Sequence, residues 1–281
     1  MNTKSGTVNE QSSIWNGDAG RAWVETEQLI EHMFKPIADL LMQDLRKQGR
    51  SKVLDVGCGT GGTTLAAARG LDAEGSCTGI DISQQMIAAA EVNARAQGLT
   101  TRFICADAQT YAFAPASFDL IMSRFGVMFF ADPVAAFKNL RHAASEHAEC
   151  RFIAWRSADE NPFMTAAEGA ARDLLPDLPV RKANEAGQFA FARQEYIFAI
   201  LQQSGWHGIN MEAVDIDCSF AAQDLPLYIS RMGPVGRMLS QQDEATRDKV
   251  LKVVRRAFEP YVHGDRVLFT AACWKVTARA Q

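Results

Sequence analysis

The run Val53-Leu54-Asp55-Val56-Gly57-Cys58-Gly59-Thr60-Gly61-Gly62 sets four glycines behind a carboxylate. Gly57 and Gly59 permit a tight turn and let a ligand approach bare backbone. Gly61 lets the following helix pack close to the strand. Gly57, Gly59 and Gly62 also satisfy the GxGxxG spacing of dinucleotide sites, so the loop alone leaves the ligand class open. Asp55 favours one side. A carboxylate at the mouth of the loop would repel a pyrophosphate and attract the ammonium of an amino-acid ligand, and a sulfonium adds further positive charge. S-adenosylmethionine (SAM) suits such a loop better than NAD. Asp81, in Thr78-Gly79-Ile80-Asp81-Ile82-Ser83, is placed to reach a ribose, and its carboxylate can accept from both hydroxyls of the diol. Asp107, in Cys105-Ala106-Asp107-Ala108, can accept from the exocyclic amine of adenine, with Ile82 and Met86 packed on the ring faces.

These carboxylates must be held by strands. Lys52–Val56, Ser76–Ile80, Arg102–Cys105, Phe118–Met122 and Cys150–Trp155 are short apolar runs separated by helical stretches, among them Thr63–Arg69, a helix capped by Ser83 and ended at Gly98, and Pro133–Ala143. Alternating strands and helices imply βαβ units and a parallel sheet covered on both faces, with ligands at the carboxyl ends of the strands. The expected fold is therefore α/β, a doubly wound Rossmann-like sheet. Two late strands, Ile209–Phe220 and Val267–Val276, would close it with the last strand antiparallel. Residues 18–48 read as helix, kinked at Pro36 and stopped at Gly49. The expected organisation is an N-terminal helical lid over 1–48, a cofactor-binding core over 49–156, helical cap insertions over 157–190 and 221–264, and the rest of the core sheet over 191–220 and 265–281.

Net charge is −4, and the densest basic spot, Arg255-Arg256 near Lys249 and Lys252, is short. Nucleic acid is not the expected partner, because phosphate binding needs clustered Lys and Arg. The polar start MNTKSGTVNEQSS lacks the apolar region of a signal peptide, and no apolar run reaches the roughly 18 residues of a membrane span. The six cysteines form no CxxC pair or Cys/His cluster, so no metal site is expected and a cytoplasmic setting fits.

Asp55 to Gly61, Gly79-Ile80-Asp81, Ala106-Asp107-Ala108 and Phe118-Asp119-Leu120-Ile121 resemble, in order and spacing over about residues 50–156, the successive motifs of class I SAM-dependent methyltransferases. The flavour is similar to the small-molecule enzymes of ubiquinone and menaquinone biosynthesis. The resemblance implies that Asp55, Gly57 and Gly59 hold the methionine part, Asp81 the ribose and Asp107 the adenine, with Cys58, Thr60 and Ala108 also expected at the cofactor. It further implies that Ser123, Arg124 and Phe125, at the end of the fourth strand, lie near the methyl. A Trp15-Asn16-Gly17 segment with a second tryptophan, Trp23, resembles a subgroup whose N-terminus folds over the cofactor. One departure is Ser145-Glu146-His147-Ala148-Glu149, where relatives carry a Pro-Gly-Gly turn; a local loop change is expected there, at the strand end away from the cofactor.

The implied reaction gives S-adenosylhomocysteine (SAH) and a methylated small molecule. The acceptor pocket is expected to include Trp23, Phe125, Met128, Trp155 and Met232, under a cap whose Phe163, Met164, Phe189, Phe191, Tyr196, Met232 and Met238 suit an apolar or aromatic acceptor or form the cap's own core. Phe129 and Phe130 read as core. Arg231 and Arg237 face either an acidic group or solvent. The Asn-Pro-Pro-Tyr signature of many amino-methylating enzymes is missing after the fourth strand, which favours carbon or oxygen over nitrogen or sulfur. No general base is identified. An NAD(P)-dependent oxidoreductase and a non-catalytic SAM-binding protein remain the alternatives.

Overall fold

The computed structural model of the chain describes residues 4–43, 45, 52–182 and 184–281. The helix stop at Gly49 and the boundary between residues 48 and 49 lie outside them. The N-terminal part holds α1 (Lys4–Asn16), α2 (Asp18–Glu25), α3 (Glu27–Met33) and α4 (Lys35–Leu41). The core follows with β1 (Lys52–Val56), α5 (Gly62–Gly70), β2 (Ser76–Asp81), α6 (Gln84–Ala96), β3 (Arg102–Cys105), β4 (Phe118–Arg124), α7 (Pro133–Ala143) and β5 (Ala144–Trp155). Then come α8 (Pro162–Ala171), α9 (Gln194–Gln203), β6 (His207–Ala221), α10 (Leu225–Arg231), α11 (Gly233–Leu239), α12 (Glu244–Phe258), β7 (Val262–His263) and β8 (Arg266–Arg279).

The sheet runs β3-β2-β1-β4-β5-β8-β6, with β7 paired to β8. The first five strands of that order are parallel, and β8 is antiparallel to both β5 and β6. β1 is buried along Val53–Val56 on both faces, as a strand sandwiched between helical layers requires. Register carries the consequence for function. Val56 pairs with Ile80 and Asp81 with Cys105, so the loops after β1, β2 and β3 leave the sheet along one edge. The order reverses at β1, between β2 and β4, which is the switch point where doubly wound sheets open a crevice. Capping fixes two helix entries: Ser83 accepts from the Met86 amide, and Asp132 accepts from Ala135 with Pro133 in the first turn of α7.

The single kinked helix expected over 18–48 is instead three short helices within the described residues. The breaks fall at Thr26 and Phe34. The Thr26 hydroxyl donates to the Ala22 carbonyl at 2.7 Å, and Pro36 sits in the first turn of α4, where its missing N–H costs nothing. The helix α1 falls within the N-terminal helical lid expected over 1–48, ahead of the stretch 18–48 that reads as helix. In place of the loop expected at Ser145–Glu149, β5 begins at Ala144, with a register irregularity against β4 between Phe118 and Leu120. His147 there adopts φ 64°, and its amide donates to the Ala280 carbonyl at 3.0 Å. Buried Glu149 closes that end by pairing with Arg151 and Arg279.

Candidate cofactor and acceptor site

One cavity opens at the carboxyl edge of β1, β2, β3 and β4. Gly57, Cys58, Gly59, Thr60, Asp81, Ile82, Met86, Asp107, Ala108, Arg124, Phe125 and Trp15 all line it, from the residues singled out by sequence. One Asp81 oxygen accepts from the Gly59 amide and the other from the Ser83 amide, each at 2.9 Å. The carboxylate thus braces the glycine turn against the start of α6. Burial raises its pKa, and those amides, with that of Ile82, pull it back. A carboxylate has about four lone-pair sites, so each oxygen keeps capacity for a ligand hydroxyl. Asp107 accepts from the Gln109 amide at 2.9 Å and turns the chain after β3. The Cys58 thiol is buried and held well above the ordinary thiol pKa by burial and by Asp81, which makes it an inert wall.

Asp55 departs from its expected place at the mouth. It is fully buried beneath α5 and does not line the cavity. Its Oδ2 accepts from the Thr63 and Thr64 hydroxyls at 2.6 and 2.7 Å, because the helix start follows the glycine turn directly and brings both hydroxyls back over the strand. Burial pushes its pKa up to about 6. Native Asp55 therefore binds a proton more tightly than the unfolded chain does. Stability gained this way is fully present below the unfolded value near 4 and is lost as pH rises through about 6. Asp55→Asn is expected to remove that component, on the order of 3 kcal/mol. Urea melts of wild type and variant between pH 4 and 7.5 check it: the difference between the two curves should shift in favour of the variant as pH rises, and parallel curves would contradict the assignment.

Ser123 is likewise internal. It donates to the Val56 carbonyl at 2.7 Å and accepts from the Gly126 and Val127 amides, tying β4 to β1 below the cavity. Arg124 reaches the cavity but is engaged by Glu31 of α3 in a two-pronged ion pair. Glu31, Gln11, Gly126 and Phe130 are wall residues that the sequence reading missed. Glu31 comes from a different element than the strand-end motifs, and its only sequence trace was an acidic residue set among the apolar positions Ile30, Met33 and Phe34. Phe129 and Phe130, expected in the core, are partly buried on the cavity wall.

The N-terminal segment is latched over β2 and α6. The Asn16 amide donates to the Ile82 carbonyl at 3.1 Å and its oxygen accepts from the Gln84 amide at 2.9 Å. The Ser83 hydroxyl donates to the Trp15 carbonyl at 2.7 Å. The Trp15 ring meets Phe129 edge-on at 5.0 Å and Trp23 at 6.1 Å. Phe125 takes a left-handed backbone, φ 68°, which is costly for an aromatic residue. Its amide donates to the Ile153 carbonyl at 3.0 Å, and its ring stacks on Trp155 at 4.5 Å.

A second cavity of about 500 Å³ adjoins the first. Gln11, Trp15, Trp23, Phe125 and Phe129 line both. Met128, Trp155 and Met232, the other expected acceptor-pocket residues, line the second. The cap divides: Phe163, Met164, Phe189 and Met232 face this cavity, whereas Phe191 packs on Phe137 and Phe152 in the interior, with Tyr196 against it, and Met238 packs on the core. Met232 also touches the Thr26 hydroxyl at 3.3 Å, and Arg231 pairs with Glu25 at 2.8 Å, joining cap to N-terminal helices. His263 is exposed. Among the described residues no cluster of His, Cys, Asp or Glu is arranged for a metal, and no helix is long and apolar enough to cross a membrane.

The site fits SAM by its own chemistry. Thr60 Oγ1, on the cavity wall, is buried without a partner among the described residues, beside a turn with bare backbone at Gly57 and Gly59. Paired acid and base, Glu31 and Arg124, stand at the same end, and the carboxylates at the ends of β2 and β3 bring no clustered positive charge for a pyrophosphate.

Comparison with known proteins agrees. Residues 53–146 match the family model described as a methyltransferase domain. The chain is 34% identical over 111 residues to aklanonic acid methyltransferase DauC of Streptomyces sp. strain C5, covering 39% of this chain and 50% of that protein. It is 32% identical over 101 residues to demethylmenaquinone methyltransferase of Geobacillus stearothermophilus, covering 36% of this chain and 43% of that one. The matches thus span about half the length of these relatives or less. The fold is similar to that of YcgJ from Bacillus subtilis, with a TM-score of 0.56 over 87% of this chain and 97% of that one at 15% identity. Residues 53–146 thus match a methyltransferase domain, and in motif order, sheet order and relatives the chain is similar to the class I SAM-dependent methyltransferases.

Proposed function

We propose that the chain transfers the methyl group of SAM to carbon or oxygen of a small apolar or aromatic molecule. The observation that carries this reading is the shared wall: the cofactor cavity and the 500 Å³ cavity meet at Gln11, Trp15, Trp23, Phe125 and Phe129. The volume suits a small organic ligand. In the proposed arrangement Asp81 accepts from the ribose hydroxyls, Asp107 accepts from the adenine amine between Ile82 and Met86, and Arg124 and Glu31 bind the amino-acid end. Trp15 and Trp23 close the site and exclude water. When bound, SAM supplies a methyl on a sulfonium leaving group, so the protein's task is to align the acceptor and keep it dry.

The preference for carbon or oxygen rests on the sequence after β4, Ser123-Arg124-Phe125-Gly126, which is not the Asn-Pro-Pro-Tyr of many amino-methylating enzymes. The two named relatives act, by their names, on aklanonic acid and demethylmenaquinone.

Calorimetric titration with SAM, SAH, NAD and NADP tests the cofactor, and a screen of phenols, quinols and aromatic acids with labelled SAM tests the transfer. Micromolar binding of the two sulfur nucleotides with label appearing in an acceptor is the expected result. NAD or NADP binding instead would return the glycine loop to the dinucleotide class. SAM binding without turnover on any acceptor would favour a non-catalytic role.

A further inference from the structure

The 500 Å³ cavity meets the cofactor cavity at four aromatic rings and Gln11, and its remaining lining combines apolar side chains with a set of charged ones. Glu168 of α8 is buried and pairs with Arg181, whose guanidinium lies 4.8 Å from the centroid of the Phe189 ring. Arg237 of α11 lines the same cavity, half-buried and within reach of the Glu168 charge. Among the described residues its guanidinium has no hydrogen bond and no ion pair. The neighbouring cations are engaged: Lys182 by Glu185 at 3.0 Å and Arg231 by Glu25 at 2.8 Å. Three guanidinium groups, those of Arg181, Arg237 and the exposed Arg172, therefore act on the one carboxylate of Glu168, and only Arg181 is bonded to it. Burial costs Arg237 some of its preference for the charged form, but a guanidinium stays protonated at neutral pH. A half-buried charge without a full partner is partly desolvated, and a ligand carboxylate would compensate it.

We propose that Arg237, with Arg181 and Glu168 behind it, binds a carboxylate carried by the methyl acceptor, so that the acceptor is an apolar or aromatic acid. This rests on the methyltransferase reading, since it concerns the acceptor of that reaction. The guanidinium fork matches a carboxylate in two parallel hydrogen bonds, and exclusion of water strengthens them. Glu168 fixes Arg181 and repels any carboxylate that approaches from its own side, which leaves the Arg237 side as the docking position. Arg237, Arg181 and Glu168 do not line the cofactor cavity, whereas Trp23, Phe125 and Phe129 line both. The carboxylate is thus a handle held away from the methyl, and it selects which acceptor atom reaches the shared wall.

The test uses the full chain loaded with SAH and two matched probe pairs: 2-naphthoate against 2-naphthamide, and anthraquinone-2-carboxylate against its amide. Calorimetry should give the carboxylates at least about tenfold tighter binding than the amides, corresponding to one charge-assisted contact. In Arg237→Met and Arg237→Gln the preference should fall to within about twofold while SAH affinity stays at the wild-type value, which also reports that both variants are folded. Equal binding of amides and carboxylates, a preference that survives in both variants, or no carboxylate binding to the SAH-loaded protein at millimolar concentration would each overturn the proposal. Failure of wild type to bind SAH at all is a separate result, and it would remove the cofactor reading beneath it.

Discussion

Asp81→Ala is expected to weaken SAH binding by roughly 100-fold or more, corresponding to two lost charge-assisted hydrogen bonds of about 1.5 kcal/mol each. The loss has two parts. The ribose diol forfeits its acceptors, and the Gly59 and Ser83 amides, now bonded to the two Asp81 oxygens at 2.9 Å, lose theirs. The glycine turn and the start of α6 are consequently less fixed. Asp81→Asn separates the parts: its one remaining oxygen satisfies one amide, while its NH2 faces the other donor. Calorimetry should rank wild type tightest, then Asp81→Asn, then Asp81→Ala. Near-equal affinities would mean that neither the ribose contact nor the brace of the loop contributes to binding.

Gly57→Ala is expected to lower stability by about 3 kcal/mol or more, among the larger effects a single methyl can have. A Cβ at Gly57 would stand 2.6 Å from the Cα of Gly126, a backbone atom with no rotamer to yield. The residue also holds φ +67°, which costs a non-glycine residue a further 1–2 kcal/mol or so. Gly126 belongs to the turn after β4 that carries Phe125 and the tie through Ser123, so moving it disturbs the wall common to both cavities. A melting temperature lower by roughly 6 °C or more, with weaker SAH binding, is the expected result for a chain of this size. A variant that melts like wild type would show that the two turns can part without cost.

Much of the cofactor site was legible in the sequence because its logic is local. A strand, a turn and a helix start are set by neighbouring residues, and parallel register then lines up the strand ends. Gly57, Gly59, Asp81, Asp107, Ile82 and Met86 all reach the expected cavity for that reason. Asp55 shows the limit of that logic. Its position before the turn was plain, but the hydroxyls of Thr63 and Thr64, brought over the strand by the helix that follows, draw its carboxylate inward. Ser123 is a parallel case, its hydroxyl consumed by three backbone groups.

The α/β class, the antiparallel closing strand and the order of the cofactor motifs were legible in the residues, since each follows from short-range periodicity, glycine placement and strand-end carboxylates. Long-range packing sets the meeting of Glu31 of an N-terminal helix with Arg124 at the end of β4, and brings Arg237 and Glu168 from two separate segments to one cavity. Those contacts join residues far apart in the chain. Their partners are chosen by how packed helices fill space over the sheet, a choice that no local pattern of residues encodes.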